Sequence, residues 1–236
     1  MSFKFEFFIK SFKIASQYIG TTLEVALSGL VIGLILGLVI ALIRFYNVPI
    51  LSQFFIGFFT ILKAIPIVLI LLATYLIFAK TFDQFAAGIG WQMKFKDMNP
   101  LVIPIFCLSI LSTIGLSETF RGTFASIGKG QQDAAKSIGM GTRQIIVRII
   151  LPQALPVALP MMSNTLIGLI KASALVSMVG VVDIFAAAKI SAQQNYRFLE
   201  AYLAVALIYW ILNSVIEQGA GLLERNLNRR LRRDAA

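Results

Sequence analysis

Eighteen consecutive residues without a single charge, ALSGLVIGLILGLVIALI from Ala26 to Ile43, constrain this chain more than any other feature. A helix of that length rises about 27 Å, close to the thickness of a bilayer's hydrocarbon core. Four further runs have similar character: Phe54 to Ala79 interrupted only by Lys63, Leu101 to Ser117, Val157 to Val182 around Lys171, and Phe198 to Ile216. They are continuously apolar, which excludes the in-out alternation of a membrane barrel. With 58% of 236 residues hydrophobic and 14% charged, a soluble domain has too little interior to hide them. The expected fold is an all-α integral membrane protein with five transmembrane helices.

A formal net charge of +10 raises the question of nucleic acid, but the positions of the charges answer it differently. Arg121, Lys129, Lys136, Arg143 and Arg148 lie between the third and fourth runs, and Arg225, Arg229, Arg230, Arg232 and Arg233 follow the fifth. That is the positive-inside bias of membrane loops, and it makes both regions cytoplasmic, with no nucleic acid partner. Five spans then put the N-terminus outside. Lys4, Lys10 and Lys13 weigh against that orientation, outnumbered by the two later clusters. Residues 1–18, with the mixed aromatic and basic stretch FKFEFFIKSFKIASQYI, read as a helix lying in the membrane interface. Residues 19–225 form the transmembrane domain and 226–236 a basic cytoplasmic tail.

Several chemistries are excluded early. Cys107 is the only cysteine and there is no histidine, so an internal disulfide, histidine-activated nucleophiles and histidine–zinc sites are all ruled out. No GxxxxGK[ST] loop is present, so the chain does not grip a nucleotide triphosphate in that way.

Between the third and fourth spans stands QQDAAKSIGMGTRQIIVRIILPQALP, from Gln131 to Pro156. The spacing predicts a short helix over 132–138 ended by Gly139 in a positive-φ conformation, a second helix capped by Thr142, and a stop at Pro152. Ala134 and Ala135 give the first helix a low-relief face, shaped to sit in another protein's groove. An ordinary cytoplasmic loop with two helical turns would read the same way.

The segment resembles the EAA motif of ABC importer permeases, with Asp133, Ala134 and Ala135 in the first three places, Gly139 in the glycine place, and Leu151 and Pro152 at the close. Asp133 stands where the family has Glu. The likeness runs from about Gly20 to Leu231 and is nearest the polar amino-acid uptake branch, with ETFRGTFASIGKGQQDAAKSIGM leading into the motif and LPQALPVALPMMSNTLIGLIKASALVSMVGVVDIF following it. Parts also resemble cystine-importing members. The resemblance implies a multi-pass protein of the bacterial cell membrane whose cytoplasmic loop 128–156 carries a coupling helix. Asp133, Ala134, Ala135 and Gly139 would contact an ATP-binding subunit. It further implies a dimer with a second copy or paralogue, two ATP-binding subunits, and an extracytoplasmic amino-acid-binding protein. ATP and magnesium would then sit on the partner subunits, with no cofactor in this chain and no catalysis of its own.

Ionisable groups within spans are costly and therefore mark sites. Asn164, Gly168 and Lys171 are spaced four and three residues apart, on one helical face that could meet a small zwitterion. Lys171 could instead pair with Glu118 to hold two helices together. Where relatives commonly read K-D-T-S-L, this chain has Lys171, Ala172, Ser173, Ala174 and Leu175; if that acidic side chain selects cationic substrates, its replacement by Ala172 argues against lysine- or arginine-type cargo. The expected cargo contacts are Lys171, Asn164, Glu118 and Ser173. Glu118 and Arg121 have the spacing of an i,i+3 ion pair. Pro66 within the second run predicts a kink. Gly29, Gly33 and Gly37 predict close approach of another helix.

The leading expectation is thus the permease subunit of an ATP-driven amino-acid importer. An integral-membrane enzyme built on Ser163, Ser173 and Lys171 is the alternative; it lacks histidine and needs a neutral lysine. A passive channel would need a charged ring that nothing in the sequence suggests.

Overall fold

The computed structural model describes residues 3–234; residues 1–2 and 235–236 lie outside that description, as do the side chains of Lys129 and of residues 227–234. The described residues contain helices and no strand. In chain order they are α1 (Phe5–Ser16), α2 (Ile19–Phe45), α3 (Leu51–Ala64), α4 (Ile67–Gly88), α5 (Val102–Ser126), α6 (Lys129–Ser137), α7 (Thr142–Ile145), α8 (Leu151–Ala172), α9 (Ile184–Gln193) and α10 (Phe198–Asp234). Five segments are long and apolar enough to cross a membrane: Ile19–Phe45, Ile67–Gly88, Val102–Ser126, Thr142–Val179 and Phe198–Asn226.

The centre of the bundle is the pairing of α2 with α5. Gly29, Gly33 and Gly37 are buried against Leu108, Ser112 and Leu116, so both helices advance by four residues per contact and run parallel. Without Cβ atoms the backbones approach closely enough for Ser112 Oγ to donate to the Gly29 carbonyl at 2.6 Å. The predicted close approach is therefore present, and α5 is its partner. Along α5, Ser109, Thr113, Thr119 and Thr123 each donate to the carbonyl four residues earlier, which satisfies their hydroxyls in a setting without water.

Two proline expectations need correction. Pro66 does more than kink the second run: Ile65 is driven extended, with ψ 126°, and the run divides into α3 and α4, the spanning helix extending to Gly88. Pro66 has no N–H to continue the ladder, and its ring disfavours helical geometry at the preceding residue. Pro152, by contrast, stops nothing. Ile146–Ile150 widens into a π turn in which Leu151 N–H reaches the Ile146 carbonyl, and helix continues through Pro152, Pro156 and Pro160. The widened turn relieves the clash between the Pro152 ring and the carbonyl four residues before it.

The two ends of the bundle differ. At one end α1 packs on α9 and the start of α10 through Phe7, Ala15, Ala188 and Ala201, and Glu200 accepts from Lys4 N–H at 3.1 Å and from Arg197 at 2.7 Å. Asp183 caps α9 there, accepting from Ala186 N–H at 2.9 Å and from the Tyr209 hydroxyl at 3.2 Å. At the other end the C-terminal turns of α2 and α5 meet α6 and α7 around Ala41, Phe124, Ala135 and Ile145. The N-terminal helix and the 128–156 loop thus occupy opposite ends.

Candidate functional site

Three sets of residues stand out, the first at α6. This nine-residue helix ends at Gly139 with φ +82°, as its spacing predicted. Gly139 N–H bonds to the Lys136 carbonyl at 2.9 Å and Met140 N–H to the Ala135 carbonyl at 3.1 Å, the paired bonds of a Schellman closure. The next helix is capped differently from expectation: Gly141 holds the cap position and its N–H donates to Gln144 Oε1 at 3.0 Å, so Thr142 is already the first helical residue. The two alanines also divide. Ala135 is buried against the core with Gln132, whereas Asp133, Ala134, Lys136 and Ile138 are exposed. Asp133 and Lys136 form a loose pair at 3.9 Å. Gln153 Nε2 donates to Gln131 Oε1 at 3.1 Å, tying α6 to the base of α8.

The second set surrounds Glu118. The expected Arg121 pair is present at 3.3 Å on Oε2, but Oε1 accepts from two further cations, Arg44 at 3.0 Å and Lys63 at 3.0 Å. Lys171 is not among them, which removes the alternative in which it pairs with Glu118. Arg44, contributed by the last turn of α2, also donates to Ser117 Oγ at 3.4 Å and stacks over the Phe59 ring at 5.9 Å. Arg44 and Lys63 lie 74 and 55 residues from Glu118, so no local pattern announces their convergence.

The third set is a stripe of small and polar residues left uncovered on two adjoining helices. From α5 come Gly115, Glu118 and Gly122; from α8 come Met161, Asn164, Gly168 and Lys171. A cleft of about 400 Å³ separates the two helices beside Glu118 and Met161. Lys171 lies ten residues beyond Met161, roughly 15 Å along the helix. Asn164 borders a second cleft of about 270 Å³ shared with Glu217 and Glu224 of α10. Ser173 departs from its expected role: it is fully buried, and its hydroxyl donates to the Ile170 carbonyl at 2.8 Å. Of the expected cargo contacts, Glu118, Asn164 and Lys171 therefore share the stripe without sharing one cavity, and Ser173 lies off it.

Residues 29–229 match the family described as "Binding-protein-dependent transport system inner membrane component". The chain belongs to this family. Among its relatives, the probable amino-acid ABC transporter permease protein PatM of Vibrio harveyi is 34% identical over 97% of this chain and 98% of its own length. The L-cystine transport system permease protein TcyB of Bacillus subtilis is 35% identical over 56% of this chain and 57% of its own. A crystal structure described as an amino acid ABC transporter with histidines superposes with a TM-score of 0.78 and 25% identity, covering 96% of this chain and all of that one. The permease is accordingly a multi-pass membrane subunit of an ABC transporter for amino acids, a class that works with ATP-binding subunits and a substrate-binding protein.

Proposed function

We propose that this permease forms the membrane path of an amino-acid importer by pairing with a second copy or a paralogue, and that α6 receives the movement of an ATP-binding subunit. The observation that carries this reading is the build of α6: a short helix, locked by Gly139, anchored inward by Ala135 and presenting Asp133 and Ala134 outward. A surface of small residues on a rigid, anchored rod is suited to a cleft in a partner. Ala135 supports the rod from beneath and Gly139 fixes its end, so both act by holding Asp133 and Ala134 in place.

The uncovered stripe of α5 and α8 supports the pairing. Polar and small residues facing lipid along two spans would be costly, and a symmetric partner covering them would enclose the path. Glu118, Asn164 and Lys171 would then line it at successive depths, while Ser173 supports the α8 end without touching cargo. In this arrangement the 128–156 loop and the tail are cytoplasmic and α1 lies at the outer interface. A separate binding protein delivers the amino acid there. ATP and magnesium act on two associated ATP-binding subunits, and this chain performs no hydrolysis. Similarity to PatM and TcyB supports amino-acid cargo, with L-cystine among the candidates.

The test is reconstitution with ATP-binding and binding-protein subunits in liposomes, followed by ATP hydrolysis in the presence of single amino acids. Stimulation by at least one is expected; none by any of them would end the proposal. Gly139→Asp places a side chain at φ +82° and is expected to abolish uptake while the complex still assembles and hydrolyses ATP. Unimpaired uptake by that variant would refute the coupling role.

A further inference from the structure

The charge around Glu118 does not balance. Three cations, Arg44, Lys63 and Arg121, converge on one carboxylate, and no other acidic side chain among the described residues lies within ion-pair distance of them. A surplus of two positive charges remains where the last turns of α2 and α3 meet α5, and an anion joining the cluster would offset it. The three cations are not equivalent. Arg44 is buried, with 8% of its side chain exposed, and is fixed by Glu118, Ser117 and the Phe59 ring. Lys63 and Arg121 are about half exposed, at 48% and 43%. Each uses only part of its donor capacity on Glu118, leaving ammonium and guanidinium N–H groups free for a further acceptor. The cluster also has two openings: Lys63 faces a cleft of about 330 Å³ between α3, α4 and α5, and Glu118 faces the cleft between α5 and α8.

We infer that Lys63 and Arg121, aligned by Glu118 and backed by Arg44, form a carboxylate-binding site on the path, and that the cargo class is neutral or acidic amino acids, not cationic ones. Glu118 is then a positioning residue. It holds the two cations together and competes with the incoming carboxylate for their donors, so it does not itself grip a cargo ammonium. The inference deepens the permease reading and rests on it for the identity of the ligand; the carboxylate affinity can be measured without it.

The experiment is a thermal-shift titration of the full-length purified chain in detergent, at constant ionic strength set with chloride. Glutarate serves as the dicarboxylate probe and cadaverine as a diamine of similar length. Glutarate should raise the unfolding midpoint saturably and cadaverine should not. Lys63→Gln and Arg121→Gln should each weaken the apparent glutarate affinity at least fivefold, whereas Glu118→Gln should strengthen it at least threefold by removing the competing carboxylate. A purely structural role for Glu118 predicts no such gain. The inference is overturned if glutarate acts equally on the wild type and both cation variants, if Glu118→Gln weakens binding, or if cadaverine is the stabilising probe. It is also overturned if only added phosphatidylglycerol shifts the midpoint, since the cations would then serve lipid phosphate. Reconstituted ATPase stimulation is a separate readout, so its failure would count against the importer reading and leave the titration result intact.

Discussion

Replacing Gly33 by alanine tests the packing on which the whole bundle depends. A Cβ built on Gly33 overlaps Ser112 Oγ outright, and lies 2.6 Å from Ser112 Cβ and 3.0 Å from its backbone carbon. Ordinary carbon contacts lie near 3.5–4.0 Å. Ser112 cannot swing clear without giving up its 2.6 Å bond to the Gly29 carbonyl, which joins the two helices. Overpacking of this kind costs about 1–3 kcal/mol, and an interhelical hydrogen bond in a membrane averages roughly 0.6. Alanine returns about 1 kcal/mol through its helix propensity. The net expectation is a loss of about 0.6–2.6 kcal/mol.

The neighbouring glycines provide a graded series. At Gly37 the nearest atoms are Leu116 Cβ at 3.0 Å and Ser117 N at 3.1 Å, and at Gly29 the nearest is Leu108 Cβ at 3.2 Å. Destabilisation should therefore fall from Gly33 through Gly37 to Gly29, and Gly57→Ala, which meets nothing within 4 Å, should cost nothing. Unfolding by sodium dodecyl sulfate in mixed micelles gives the values. A double-mutant cycle identifies the cause: in the Gly33→Ala background, Ser112→Gly should cost at least about 1 kcal/mol less than in the wild type. A Gly33→Ala chain as stable as the parent, or an additive cycle, would refute the close-approach argument.

Two further outcomes follow from the ends of the bundle. Ala134→Cys should react rapidly with a maleimide in the folded chain and cross-link to an ATP-binding subunit, whereas Ala135→Cys should react only on unfolding; labelling rates followed by mass spectrometry check both. Asp183→Ala removes the acceptor of both Ala186 N–H and the Tyr209 hydroxyl and should cost about 1–3 kcal/mol, while Asp183→Asn keeps a capping oxygen and should cost less. Burial pushes the Asp183 carboxyl above its ordinary value near 3.9. Its contribution to stability is thus full below that value and is lost as pH rises through the raised one; Asp183→Asn should flatten this dependence in a thermal-unfolding series.

What could be read from the sequence was local. Gly139 needs only its own backbone conformation, the Glu118–Arg121 pair only a turn of helix, and Gly29, Gly33 and Gly37 only a shared face. Arg44 and Lys63 were invisible because their link to Glu118 is made by packing across 74 and 55 residues. Ser173 follows a family pattern, yet the turn after α8 rotates it inward. The prolines mislead for a related reason. Pro66 and Pro152 obey the same steric rule, but before Pro152 the turn widens and helix continues, whereas before Pro66 Ile65 turns extended and the helix breaks.

The placement of α6 bears on how movement would reach the stripe. Only Ile127 and Gly128 separate α6 from α5, and a short turn followed by continuous helix joins it to α8. These are the two helices that leave Gly115, Glu118, Gly122, Asn164 and Lys171 uncovered. A displacement of α6 therefore acts first on both walls of the proposed path, with no intermediate element. The Gln131–Gln153 bond ties α6 to α8 across the widened turn at Ile146–Ile150, and buried Ala135 fixes α6 to the core. Under the proposed coupling, α5 should shift with α6 as a unit and α8 should move relative to it, opening or closing the cleft between them beside Glu118 and Met161.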